Sequence, residues 1–90
     1  MDFEEKVLKV VKKIPRGKVL SYKETARLAG NPRAFRIVGN ILNKNHNSKI
    51  PCHRVVRSDG KIGGYNKGEK KKTLLLQKEG VKLVGGKIVL

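Results

Sequence analysis

Apolar residues near the N-terminus recur every three or four positions: Phe3, Val7, Leu8, Val10, Val11 and Ile14. That spacing predicts an α-helix with one buried face and lysines on its wet side. Asp2 followed by Glu5 reads as an N-cap with a capping-box acid, and Pro15-Arg16-Gly17 ends the helix. Val19-Leu20 is a short extended piece. Ser21 and Glu24 make a second capping box, which opens a short helix with Ala26, Leu28 and Ala29 inward and Gly30 as its stop. Asn31 is placed to cap the next helix and Pro32 to sit in its first turn. On that helix Ala34, Ile37, Val38, Ile41 and Leu42 gather on one face, and Arg33, Arg36, Asn40 and Asn43 on the opposite one. Gly39 falls beside Arg36, where it lets the backbone approach a partner closely. Phe35 sits at the edge between the two faces.

Beyond this point the periodicity changes. Lys44 to Lys49 is polar and loop-like, and Asn66 to Gly68 is a second loop. Val55-Val56-Arg57, then Ser58-Asp59-Gly60, then Lys61 to Tyr65 read as a β-hairpin with a glycine-containing turn. Glu69 to Glu79 is a helix anchored by Leu74, Leu75 and Leu76 and closed by Gly80. Val81 to Leu90 forms a small terminal hairpin around Gly85-Gly86. There is no long linker, no low-complexity run and no internal repeat. The expected fold class is mostly α with small β, a single domain of winged helix-turn-helix type. Two short helices joined by Gly-Asn-Pro supply the helix-turn-helix, and the hairpin after them supplies the wing. A helical hairpin with an ordinary solvated face fits the same pattern.

Charge sharpens the picture. Twenty-two Lys and Arg stand against seven Asp and Glu, for a formal net charge of +15. Such an excess repels itself in a compact state unless a polyanion is near, and nucleic acid is the polyanion that a basic helix-turn-helix serves. A generally lysine-rich, thermophile-like composition is the other reading. No strongly basic amphipathic helix carries Trp or Phe anchors, so no membrane partner is expected. No apolar run is long enough to span a bilayer, and the acidic start is unlike a signal peptide. The single cysteine excludes an intrachain disulfide framework. One Cys and two His leave a closed zinc site short of ligands, so no metal and no cofactor are expected. The default is a soluble cytoplasmic protein associated with the nucleoid through DNA. With no obvious oligomerisation stripe, a monomer is expected.

That one cysteine, Cys52, is preceded by Pro51 and followed by His53. A free thiol is mostly protonated near neutral pH, so nucleophilic work needs a base or a positive field. Adjacent side chains diverge, which makes a water-bridged transfer to His53 the natural route. A histidine base needs an orienting acceptor, and Glu79 is the most available acid. Cys52 as a buried small hydrophobe beside a satisfied core histidine remains the alternative.

Pro51-Cys52-His53-Arg54-Val55 resembles the active-site motif of the O6-alkylguanine-DNA alkyltransferases, also called methylated-DNA–protein-cysteine methyltransferases. Ser21-Tyr22 looks like that family's tyrosine. Gly30-Asn31-Pro32-Arg33-Ala34-Phe35-Arg36-Ile37-Val38-Gly39 resembles its recognition-helix segment. Asn45 precedes the cysteine as the family's asparagine does, with a loop about one residue shorter. Gly63-Gly64-Tyr65 and Glu79-Gly80 follow in the expected order, so the resemblance runs from the first helix to Gly80. It implies a protein that binds duplex DNA through the minor groove and flips out O6-alkylguanine. Arg33, Ala34, Phe35, Arg36, Gly39 and Asn40 would face the DNA, with Arg36 filling the gap left by the extruded base. Tyr22 would press on the backbone and donate to the guanine. Cys52 would take the alkyl group irreversibly, His53 its proton, and Glu79 would orient His53. Val55, Gly64, Tyr65, Asn66, Asn45 and Lys72 would shape the pocket, the carbonyls of Cys52 and Val55 accepting from the guanine amine. Most members of the family carry a further N-terminal domain; this chain starts at the first helix, so residues 1–90 are expected to be the DNA-binding and active-site domain alone. Phe35 and Ile37 are bulkier than the small residues expected on a groove-facing helix. A non-catalytic lesion sensor of the same family is the alternative, and such proteins lack the cysteine.

Overall fold

The computed structural model describes residues 1–89; Leu90, the end of the expected terminal hairpin, lies outside the described residues. Helix α1 (Phe3–Lys12) starts where the pattern places it, with Asp2 Oδ1 accepting from Glu5 N–H at 2.8 Å. Strand β1 (Leu20–Ser21) leads directly into α2 (Tyr22–Leu28), and Ser21 Oγ accepts from Glu24 N–H at 3.0 Å. The reciprocal half of that capping box is not made, because the Glu24 carboxylate pairs with Arg27 instead.

Helix α3 (Phe35–Lys44) begins later than expected. Asn31 and Pro32 belong to a separate turn closed by Ala34 N–H to Asn31 O at 3.0 Å, and Ala34 is an N-cap without a side-chain bond. Val38, Ile41 and Leu42 are buried as the wheel requires, but Ile37 is 51% exposed. It sits about 100° round the helix from Val38, outside the stripe. The three helices enclose the larger core, in which Val7, Val11, Ala26, Val38 and Leu42 meet Cys52 and Val55.

The expected hairpin from Val55 to Tyr65 does not form. Strand β2 (Val55–Val56) pairs in parallel with β1, Leu20 against Val55 and Ser21 against Val56. Both valines are buried because side chains alternate across a strand. Val55 enters the helical core, and Val56 enters a smaller one with Leu76 and Ile88. A half-exposed hairpin would leave one of them wet. The turn at Ser58-Asp59-Gly60 does close, Arg57 N–H donating to Lys61 O at 3.0 Å. The wing is completed by the terminal hairpin of β3 (Leu83–Val84) and β4 (Lys87–Ile88), which Lys61 joins through a bridge to Lys87.

Helix α4 (Glu69–Lys78) buries Lys72 and Leu76, one turn apart, while Leu75 is half-buried and Leu74 is 57% exposed. Three successive leucines cannot share one face of a helix. Among the described residues the architecture is therefore four α-helices with two small two-stranded sheets and a helix-turn-helix at α2–α3.

Candidate active site

Cys52 opens a 3-10 turn (Cys52–Arg54) immediately ahead of β2. Parallel pairing of β2 with β1 brings that turn beside the start of α2, and so brings Cys52 to Tyr22. Cys52 N–H donates to Ile50 O at 2.8 Å and Arg54 N–H to Pro51 O at 2.9 Å. In so tight a turn neighbouring side chains part company. Cys52 is 8% exposed against the helical core, while His53 and Arg54 both reach Glu79 at the C-terminus of α4.

Glu79 gathers three donors. Its Oε1 accepts from Arg54 Nε at 2.9 Å, and its Oε2 from Arg54 Nη2 at 2.8 Å and His53 Nε2 at 2.9 Å. Arg54 Nη1 donates onward to Ile14 O at 2.8 Å. The Arg54 guanidinium first, and His53 after it, hold the Glu79 carboxyl down at about 2 against burial. An ionised Glu79 makes Nε2 the protonated nitrogen of a neutral His53, leaving Nδ1 as the basic one. The loop after α1 fixes the far end of this arrangement. Gly17, at φ 85°, lies so close that a Cβ there would stand 3.1 Å from Glu79 O. Arg54 is the site residue the sequence reasoning missed; its place in the motif beside His53 was the available signal.

The sulfur itself is touched by Asn45, the C-cap of α3, whose Nδ2 donates to Cys52 Sγ at 3.0 Å. Asn66 Nδ2 in turn holds the end of α3 through Asn45 O at 2.7 Å and Asn43 O at 3.0 Å. Burial pushes the Cys52 thiol above its usual value. The Asn45 bond, the turn's backbone, Lys72 and Lys67 pull the other way without overcoming it. The resting group is thus a thiol.

Lys72, which the resemblance placed at the pocket, is fully buried, whereas the helix pattern looked to Leu74, Leu75 and Leu76 as the anchors of α4. Its Nζ donates to Val55 O at 2.7 Å, Gly64 O at 3.1 Å and Tyr22 Oη at 3.4 Å, and burial lowers it to about 8. Lys72 therefore ties α4 to the strand, the glycine segment and the tyrosine. Tyr22 donates to Gly64 O at 3.3 Å and is held above its usual pKa, first by burial and then by the charge on Cys52 once that thiol ionises. The Val55 carbonyl, expected to face the base, is already occupied by Lys72, and Cys52 O by Val55 N–H.

Tyr22, Gly39, Asn40, Cys52, Gly64, Tyr65 and Asn66 line one cavity of about 230 Å3. A shallower cleft adjoins it, holding Phe35 and Arg36 of α3 with Tyr22 and Gly64. Arg33, Arg36 and Asn40 are exposed. Ala34, which the resemblance implied would face DNA, is buried, because it continues the Val38–Leu42 stripe on which the helical spacing places it. Phe35 packs half-buried against the core with Lys23 Nζ 5.6 Å from its ring centre.

A family model described as the DNA-binding domain of 6-O-methylguanine DNA methyltransferase matches residues 2–81. The methylated-DNA–protein-cysteine methyltransferase of Methanothermobacter thermautotrophicus is 47% identical over 85 residues, 93% of this chain and 47% of that protein. Its namesake in Rattus norvegicus is 50% identical over 78 residues, 84% of this chain and 36% of the relative. The chain spans about half the length of the curated relatives it matches, or less. Among solved structures, S. pombe Atl1 in complex with damaged DNA containing O6-carboxymethylguanine has a TM-score of 0.86 at 36% identity, covering 98% of this chain and 87% of that one. Mycobacterium tuberculosis OGT in complex with DNA gives 0.84 at 40% identity, covering 89% of this chain and 49% of the other. A family model matched over nearly the whole chain and relatives about half identical to it lead to one assignment: the chain belongs to the 6-O-methylguanine DNA methyltransferase family and carries that family's DNA-binding domain.

Proposed function

We propose that this chain repairs DNA by direct reversal, as a monomer, moving the alkyl group of O6-alkylguanine in duplex DNA onto Cys52. The observation that carries this reading is the small cavity shared by Cys52 and Tyr22 beside the exposed basic side of α3. A cavity of that size takes one base, not a length of duplex, so the base must leave the stack. Extrusion costs a few kcal/mol, less for a weakened pair. Arg36, exposed next to the cavity entrance, fills the gap, with Arg33 and Asn40 on the same side of α3 and the glycine at 39 allowing close approach.

Inside, Tyr22 keeps its proton, and its O–H serves as a hydrogen-bond donor to the guanine ring. The Val55 and Cys52 carbonyls each keep a second lone pair for the exocyclic amine, and the Asn66 N–H faces the O6 edge. Such contacts strengthen as charge builds on the departing guanine. The thiol proton passes through water to His53 Nδ1, while Glu79 holds Nε2. Sulfur bonds to the alkyl carbon, the carbon–O6 bond breaks, and the departing guanine anion takes up the proton that His53 accepted, so that the thiol proton ends, net, on guanine. The thioether is stable, so one chain repairs one lesion. No described helix is long and apolar enough to cross a membrane; with DNA as partner we place the chain in the cytoplasm, at the nucleoid.

The test is the loss of O6-methylguanine from a duplex at increasing protein. Repair is expected to stop at one lesion per chain. Arg36→Ala should slow duplex repair far more than reaction with free O6-benzylguanine; equal losses on both would remove the finger role. Lesion binding without repair would identify a sensor instead.

A further inference from the structure

A second cavity, of about 370 Å3, is also lined by Cys52. Residues 45–51 form much of its wall, with Tyr65, Asn66 and Lys67, Lys71 of α4 and Lys12 of α1. Cys52, Tyr65 and Asn66 line both cavities, so the two spaces adjoin along these residues. The lining of the second one includes Lys12, Lys49, Lys67 and Lys71 and contains no Asp or Glu. Among the described residues none of these four lysines enters an ion pair. The one carboxylate bonded to this turn, Glu79, is already matched by Arg54 and His53. The space beside the nucleophile is therefore cationic without compensation.

Displacement at an sp3 carbon needs O6, carbon and sulfur in line. A substituent on that carbon must project sideways from this axis. With guanine in the Tyr22 cavity, the adjoining cavity is the room available beside the sulfur. We propose that the second cavity receives the O6 substituent, and that Lys49 and Lys67 favour substituents ending in a carboxylate. This rests on the alkyltransferase reading above. The chemistry is unchanged: for a carboxymethyl lesion the new bond is sulfur to methylene carbon, the carbon–O6 bond breaks, and the thiol proton ends, net, on guanine. The product is S-carboxymethylcysteine at position 52. The lysine charges act on the substituent in ground and transition states alike, so they raise affinity and, with it, the second-order rate of transfer, while the step within the complex is not accelerated.

The probes are duplexes carrying O6-carboxymethylguanine or its uncharged isostere O6-carbamoylmethylguanine. Affinity for each is measured with the full-length Cys52→Ser chain, and transfer rate with the unaltered one. The carboxylate lesion is expected to win in both. Lys49→Ala with Lys67→Ala should lower the preference about threefold to tenfold, the range for two exposed ion pairs. Lys13→Ala with Lys18→Ala, which removes the same charge elsewhere, should leave it unmoved. A preference unaltered by the Lys49 and Lys67 changes, or lowered equally by the control pair, overturns the inference. If O6-methylguanine is repaired but the preference is absent, only this inference falls. If nothing is transferred at all, the alkyltransferase reading falls, and the affinity ratio still decides the role of the cavity.

Discussion

Replacing Glu79 by glutamine tests how the catalytic turn is held. The side chain is 8% exposed and takes three donors on two oxygens. Glutamine keeps the shape but offers one acceptor oxygen, and its amide N–H2 would confront Arg54 or His53, which are donors themselves. The carboxyl sits at about 2 in the folded chain against an ordinary 4.5. Two and a half pH units at about 1.4 kcal/mol each are roughly 3 kcal/mol; near the surface water screens part of this, leaving about 2 kcal/mol. Because the folded value is depressed, the stabilisation is complete above 4.5 and fades as pH falls toward 2. Urea unfolding followed by circular dichroism should therefore separate parent and Glu79→Gln by about 2 kcal/mol near neutrality. The gap should shrink steadily below 4.5. Taking the difference cancels the general acid destabilisation of so basic a chain. A gap that is absent near neutrality, or as wide in acid as at neutral pH, refutes the reasoning.

Lys72 is depressed too, but because burial disfavours its charged form: it falls from 10.5 to about 8, so between those values the folded chain holds fewer protons than the unfolded one. Stability relative to Lys72→Met should rise across that window, by at most roughly 3 kcal/mol, and urea titrations that show a fall would contradict the burial argument. Asn45→Ala removes the donor on the Cys52 sulfur; iodoacetamide labelling near neutral pH should slow by about tenfold or more, the worth of one charge-assisted bond, and an unchanged rate removes Asn45 from thiolate stabilisation. Gly63→Ala would put a Cβ 3.1 Å from the Tyr22 ring at φ 77°; a loss of about 1–3 kcal/mol is expected, and unaltered thermal unfolding would mean that Tyr22 moves freely aside.

Much of this site could be read in the chain because its signals are local. Asp2 and Ser21 cap helices three residues from their donors, and Pro51-Cys52-His53 is a contiguous turn. Glu79 stood out by elimination among few acids, and its carboxylate lies 2.9 Å from His53 Nε2. What escaped detection depends on pairing across distance. Nothing local tells Val55 that its strand partner is Leu20 rather than the residues after Gly60. Nor does a helical pattern show that Lys72 points into the core, since its compensation comes from carbonyls at Val55 and Gly64. Ile37 and Leu74 look like core by type and are exposed by phase. Arg54 passed as one more cation until Glu79 and Ile14 O were placed around it.

The central claim is covalent transfer to one sulfur, and intact mass measures it directly. The chain is incubated with a duplex oligonucleotide containing O6-methylguanine, and its mass is taken. The account predicts a gain of one methylene group at one site per chain, absent from Cys52→Ser. An unchanged mass on a chain that demonstrably binds the lesion would contradict it.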